Sequence, residues 1–153
     1  MRIMTDIGIR SAVADDIPAI VAMLADDVLG AMRESPDDLS PYVAAFERLQ
    51  GDPNQHLVVA ERDGEVVGTL QLTVIPGLSR RGSTRSVVEG VRVHGSERGR
   101  GLGRQLMEWA VDESRRQGCS LVQLTSDAAR PDAHRFYEQL GFVGSHVGFK
   151  LQL

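Results

Sequence analysis

The chain has 153 residues, 42% of them hydrophobic and 25% charged, with a formal net charge of −4. That length and balance describe one globular domain and exclude disorder, a collagen-like repeat or a low-complexity scaffold. The acidic sum excludes a general nucleic-acid binder, which needs a basic surface to neutralise phosphates.

No apolar run approaches the roughly 20 residues of a membrane span, and the first residues lack a signal peptide's apolar stretch. A soluble, cytoplasmic protein with no membrane partner is expected. The single cysteine, Cys119, forbids an intrachain disulfide, and the four histidines His56, His94, His134 and His146 show no ligand spacing, so no metal is expected. Charge changes sign along the chain: residues 1–78 hold 5 Arg against 13 acids, and residues 79–135 hold 11 Arg against 7. This split suits either a polyanionic cofactor held by the second part and a cationic substrate met by the first, or a mixed solvated surface.

In chain order, Ile7 to Arg10 reads as a strand, and Asp15, Asp16 and Pro18 start a helix whose apolar face is Ile17, Ile20, Leu24 and Val28. Gly30 to Ser40 reads as a loop. Ser40-Pro41 opens a second helix through Tyr42, Phe46 and Leu49. From His56 to Arg62 and through Leu70, Leu72 and Val74 two strands are expected, joined at the hairpin turn Asp63-Gly64. After the loop Pro76 to Gly82 comes a strand, Arg85 to Val93. In it Glu89 shares parity with Val87, Val91 and Val93, a carboxylate in an apolar register.

Gly99 to Gly103 then turns into a helix with the buried stripe Leu102, Leu106, Met107, Ala110 and Val111. Leu121 to Thr125 reads as a buried strand parallel to the one before the helix. Asp132 begins a last helix carrying Ala133, Phe136, Tyr137 and Leu140, and Phe142 to Leu153 reads as one or two terminal strands. The whole is a mixed α/β domain, 1–153, with one central strand–helix–strand unit.

The segment from Val91 to Arg104 carries the chemistry. A strand feeding glycines that open a helix aims backbone N–H groups and the positive end of the helix dipole at one point, which makes an anion cradle. A phosphate-binding loop of the Gly-Lys-Ser/Thr kind is excluded, since the only lysine is Lys150. A dinucleotide fingerprint is excluded because Arg104 stands where G-x-G-x-x-G needs its last glycine. Arg98-x-x-Gly101-x-Gly103, between a strand and a helix, instead resembles the pyrophosphate loop of the GNAT N-acetyltransferase superfamily. Asp15-Asp16 with Pro18, Asp63-Gly64 followed by Val67-Gly68, and Phe136-Tyr137 to Phe142 extend that resemblance over nearly the whole chain.

The resemblance implies a mixed, mostly antiparallel sheet with helices on both faces and a central parallel strand pair, and acetyl-CoA as co-substrate. Backbone groups of Val91 and Val93 would meet the pantetheine arm, and Arg98 with the amides of Gly99, Arg100, Gly101, Leu102, Gly103 and Arg104 would bind the cofactor at its pyrophosphate. It implies direct transfer of the acetyl group to a primary amine of a small molecule or peptide in a ternary complex. Acceptor selection is expected from Asp26, Asp27, Arg33 and Glu34 and from Pro76 to Gly82.

Tyr137 stands where relatives place the proton donor to the leaving thiolate; its other reading is a core aromatic. Glu89 is the candidate base, or a strand charge paired with Arg85 or Arg92, and His94 is the next candidate. Arg130 replaces an asparagine usual in the family and is read either as a phosphate contact or as a partner of Asp127 or Asp132. Cys119 is read as packing. The terminal strands offer a surface for a homodimer. A CoA-binding sensor without turnover is the alternative function.

Overall fold

The computed structural model describes residues 6–153. The chain divides into two units, one running to Gln123 and the other Leu124–Leu153. The first unit begins with β1 (Gly8–Ser11), a 3-10 turn at Ala14–Asp16, α1 (Ile17–Leu24), α2 (Val28–Arg33) and α3 (Ser40–Gln50). Then come β2 (Gln55–Arg62), β3 (Glu65–Ile75), the single turn α4 (Ser79–Gly82), β4 (Thr84–Val93), α5 (Leu102–Arg116) and β5 (Cys119–Leu124). The strands lie in chain order in one sheet, antiparallel except for the parallel pair β4 and β5. At the β2–β3 hairpin Asp63 and Gly64 both have positive φ, 54° and 79°, which is the twist a two-residue hairpin needs.

Helices cover both faces. On one, Val58 pairs with Leu70, Leu72 with Val88 and Val74 with Ser86; Ser86 meets Ser114 of α5 in a buried 2.7 Å hydroxyl pair. The buried stripe of α5 is Leu102, Leu106, Met107, Ala110 and Ser114, so Ser114 completes the stripe and Val111 is only half-buried. Gly68 is required beneath this helix: a Cβ there would lie 3.1 Å from Leu106 and 3.2 Å from Leu102. On the other face Val59 packs with Ala12, Ile17, Ile20, Val21 and Phe46. An open apolar depression of about 320 Å³ between α1 and α3, lined by Ile17, Val43 and Phe46 among others, shares no residue with the glycine loop.

Three expectations are corrected. The first helix stops at Leu24, and Val28 opens a separate helix that runs into the expected loop, because Asp27 takes an extended conformation and its carboxylate caps α2 by accepting from the Gly30 amide. The uniform parity of β4 is broken. Glu89 pairs with Gln71 and Arg92 with Thr69, so two residues, Gly90 and Val91, stand opposite Leu70 alone. Gly90 makes this bulge with a φ of +61°. In the second unit, α6 (Pro131–Gln139) forms as expected, but no strand forms among the residues from Phe142 to Leu153. Val147, Phe149 and Leu151 alternate as a strand would and remain exposed. Alternation specifies a face, whereas a strand also needs a neighbour for its N–H and C=O groups.

Candidate active site

The glycine turn after β4 has the form an anion requires. Gly99 and Gly101 hold φ of +77° and +83°, and nothing lies within 4 Å of where a Cβ would stand at either. Gly101 is the N-cap of α5, offers no side-chain cap, and accepts the first helical bond, from the Gln105 amide at 3.1 Å. The amides of Leu102, Gly103 and Arg104 therefore have no partner within the helix, and the dipole favours negative charge before them. Arg98, Arg100 and Arg104 surround the turn with exposed side chains paired to Asp26, Glu97 and Glu108 respectively. A pyrophosphate fits this arrangement: open space at the glycines, unbonded amides and three guanidinium groups.

The turn is anchored by a carboxylate that sequence reasoning missed. Glu97, only 3% exposed, receives Arg62 from the end of β2, Nε to Oε1 at 2.9 Å and Nη2 to Oε2 at 3.3 Å. In the sequence Glu97 looks like one more charge in a polar loop. Its partner is 35 residues away, and only the hairpin brings the two together.

Glu89 does not lie in an apolar environment. It keeps the face of Val87, as its parity requires, yet is exposed; the Gly90 bulge acts on the residues beyond it, bringing Arg92 to that face and Val93 to the other. Leu24, at the end of α1, lies over the bulge, 3.8 Å from where a Gly90 Cβ would be. The α1–α2 junction is thereby set beside β4 and the glycine turn. Its two acids are engaged: Asp26 with Arg98 at 3.3 Å and Asp27 with Arg92 at 3.5 Å. Arg33 is exposed and Glu34 half-buried. The structure thus brings Asp26 and Asp27 to the cradle and the bulge, but as partners of arginines.

His94 is a turn cap: its Nδ1 accepts from the Ser96 amide at 3.1 Å and lies 2.8 Å from Ser96 Oγ. Cys119 sits on β5, where burial pushes its thiol pKa up against a smaller opposing hydrogen bond from Ser86, which suits packing. Among the described residues no group of three or more His, Cys, Asp or Glu is placed to hold a metal, and no helix is long and apolar enough to cross a membrane.

Within the second unit, half-buried Tyr137 stacks edge-on against Phe136 and Phe142, with ring centroids 5.2 and 6.0 Å apart. Arg130 is the N-cap residue of α6. Its expected carboxylate partners are otherwise engaged, Asp132 with Arg135 and Asp127 with the Ala129 amide.

A sheet that is antiparallel but for one parallel pair, with an open glycine turn and an uncapped helix N-terminus after the first strand of that pair, puts the molecule among the N-acetyltransferases, and sequence comparison agrees. The model of the Acetyltransferase (GNAT) family matches residues 21–142, and the chain belongs to that family. It is 32% identical over 92% of its length to the aminoalkylphosphonate N-acetyltransferase of Salmonella typhimurium, covering 88% of that protein. To an L-methionine sulfoximine/L-methionine sulfone acetyltransferase of Pseudomonas aeruginosa it is 29% identical, over 88% of this chain and 79% of the other.

Among solved structures, one described as a transcriptional regulator from Bacillus halodurans superposes with a TM-score of 0.92 at 48% identity, covering 97% of this chain and all of the other. A second, an acetyltransferase from Agrobacterium tumefaciens, gives 0.85 at 26% identity over 95% and 99%. The protein is an acetyltransferase.

Proposed function

We propose that the protein moves an acetyl group from acetyl-CoA to the primary amine of a small molecule or peptide, in a ternary complex, as one cytoplasmic domain spanning residues 1–153. The observation that carries this reading is the uncapped N-terminus of α5 behind two open, positive-φ glycines. It supports a pyrophosphate handle, and the GNAT family draws its acetyl group from acetyl-CoA. The relatives' named substrates, an aminoalkylphosphonate and L-methionine sulfoximine, favour a small molecule over a protein.

In this reading the amides of Gly99, Gly101, Leu102, Gly103 and Arg104 and the guanidinium groups of Arg98, Arg100 and Arg104 hold the diphosphate, the Arg100 amide being engaged by the Glu97 carbonyl at 3.2 Å, while the backbone of Val91 and Val93 lines the pantetheine. The amine nitrogen attacks the thioester carbonyl, the C–N bond forms and the C–S bond breaks. The ammonium proton leaves to Glu89, directly or through a water, before attack. The departing sulfur takes a proton from the Tyr137 hydroxyl, the second proton that the nitrogen sheds as the adduct collapses restores the tyrosinate, directly or through water, and Glu89 releases its proton to solvent. A backbone N–H near Val91 would donate to the carbonyl oxygen as charge develops on it. Glu89 is exposed without substrate, which leaves its carboxylate open to an ammonium or to a bridging water.

Acetyl-CoA should raise the melting temperature and NADH should not, because a ligand confined to the folded state stabilises it by mass action. Positioned acids and bases contribute about 10²- to 10⁴-fold, so Glu89→Gln and Tyr137→Phe should each lower kcat to within or just short of that range while binding acetyl-CoA as the parent does. Only Glu89→Gln should lose the acidic limb of the kcat/KM profile. A wild-type limb in Glu89→Gln would pass the base role to another group, with His94 next to be replaced.

A further inference from the structure

The bulge at Gly90 sets an arginine and a carboxylate side by side on the sheet face that lies under α1. Residues 89 and 92 of an unbulged strand would point to opposite faces. Here Glu89 stands opposite Gln71 and Arg92 opposite Thr69. Gln71 and Thr69 are two residues apart on β3 and share a face, so the two charges of opposite sign are offset by about 7 Å along the strand.

The Arg92 guanidinium is incompletely satisfied. Its Nη1 donates to the Val91 carbonyl at 2.9 Å. Its Nη2 is 3.5 Å from Asp27 Oδ2, longer than the roughly 2.7 to 2.9 Å of a good charge-assisted bond. Its Nε is buried and has no hydrogen-bond partner among the described residues. Nε and Nη2 form one edge of the guanidinium, the edge that takes two oxygens of a carboxylate or phosphonate through parallel N–H···O bonds. A buried donor left without an acceptor costs free energy that such an anion would return. Asp27 can yield the edge without being lost from the fold, because its other oxygen holds the N-terminus of α2 through the Gly30 amide.

We infer that Arg92 binds the acceptor, and that the acceptor is a small zwitterion: an amine with a carboxylate or phosphonate a few bonds from its nitrogen. The nitrogen faces Glu89 and the anionic group docks on the Nε–Nη2 edge. This inference rests on the amine-acetylation reading above and adds to it the charge of the substrate.

The test is thiol release from acetyl-CoA with matched acceptors, β-alanine and 2-aminoethylphosphonate against ethanolamine and n-propylamine, with acetyl-CoA binding to each variant measured by calorimetry. The wild type should use the better zwitterionic amine at least about tenfold more efficiently in kcat/KM than either amine without an anionic group, and the phosphonate and carboxylate arms tell which anion fits. Arg92→Gln should bring that ratio to near one, mainly through the KM of the zwitterionic amine. Arg92→Lys, which keeps the charge and loses the fork, should retain part of it.

Equal or better use of the amines without an anionic group by the wild type overturns the inference and leaves amine acetylation standing, as does an undiminished ratio in Arg92→Gln. Acetyl-CoA binding with no amine acetylated at all overturns both. If Arg92→Gln does not fold, the wild-type preference and Arg92→Lys decide.

Discussion

Glu97 is a carboxylate buried beside a loop built for anions, and it stays there because arginines hold it from two sides. Arg62 binds it bidentately, and Arg100 lies 3.7 Å away with a half-exposed side chain. Removing one partner of a buried pair strands the other and costs about 3 to 5 kcal/mol. Arg100 tempers that cost for Arg62→Ala, which is expected near the lower end, with a fall in melting temperature of about 10 °C for a chain of this size. Because Glu97 begins the turn that carries the open glycines, the KM for acetyl-CoA should rise more than the KM for the acceptor. Calorimetry and steady-state kinetics check both halves. An unmoved melting temperature would mean that Arg100 alone neutralises Glu97.

Between β3 and α5 the packing is close enough to need a missing side chain. At Gly68 a Cβ would press on the ends of Leu102 and Leu106, and overfilling a well-packed core costs about 1 to 3 kcal/mol. Gly68→Val should therefore lower the urea midpoint by that amount of stability at an unchanged m-value, whereas Gly64→Ala, with open space around it but a φ of +79°, should act only through backbone strain. Elements decided by neighbours in sequence were legible from the sequence: the Asp63-Gly64 hairpin, the stripe of α5, and the glycine turn with Arg98, Gly99 and Gly101. What was not legible depends on distant residues. Val28 fits the period of α1, but Asp27 caps a new helix ahead of it. Glu89 shares the parity of Val87 yet is exposed, the Gly90 bulge moves Val93 to the other face and Arg92 to that of Glu89, and the tail alternates like a strand but forms none.

Over the whole molecule, carboxylates held by hydrogen-bond donors a few residues away in the chain set the response to pH. The Arg10 guanidinium, through its hydrogen bonds and with help from the Val13 amide, holds the Asp16 carboxyl below its ordinary value. Glu113 is lowered in the same direction, by Gln117 first and then Arg116. A carboxyl whose pKa is depressed by folding adds stability that is complete above the unfolded pKa, about 4, and is lost as pH falls through the folded value. Urea midpoints should be level down to about pH 5 and fall below about pH 4. Asp16→Asn should be less stable at pH 7 and lose less on acidification, and parallel curves would remove Asp16 from the account.

The cations gathered around β4 and the glycine turn, Arg92, Arg98, Arg100 and Arg104, are all guanidinium groups, and the chain's one lysine, Lys150, lies in its last four residues. A guanidinium stays protonated and is no nucleophile at neutral pH, whereas a lysine amine sheds its proton when desolvated and attacks acyl groups. In the proposed reading these four guanidinium groups attract the donor's negative charge, and none of them is itself a rival amine for its acetyl group.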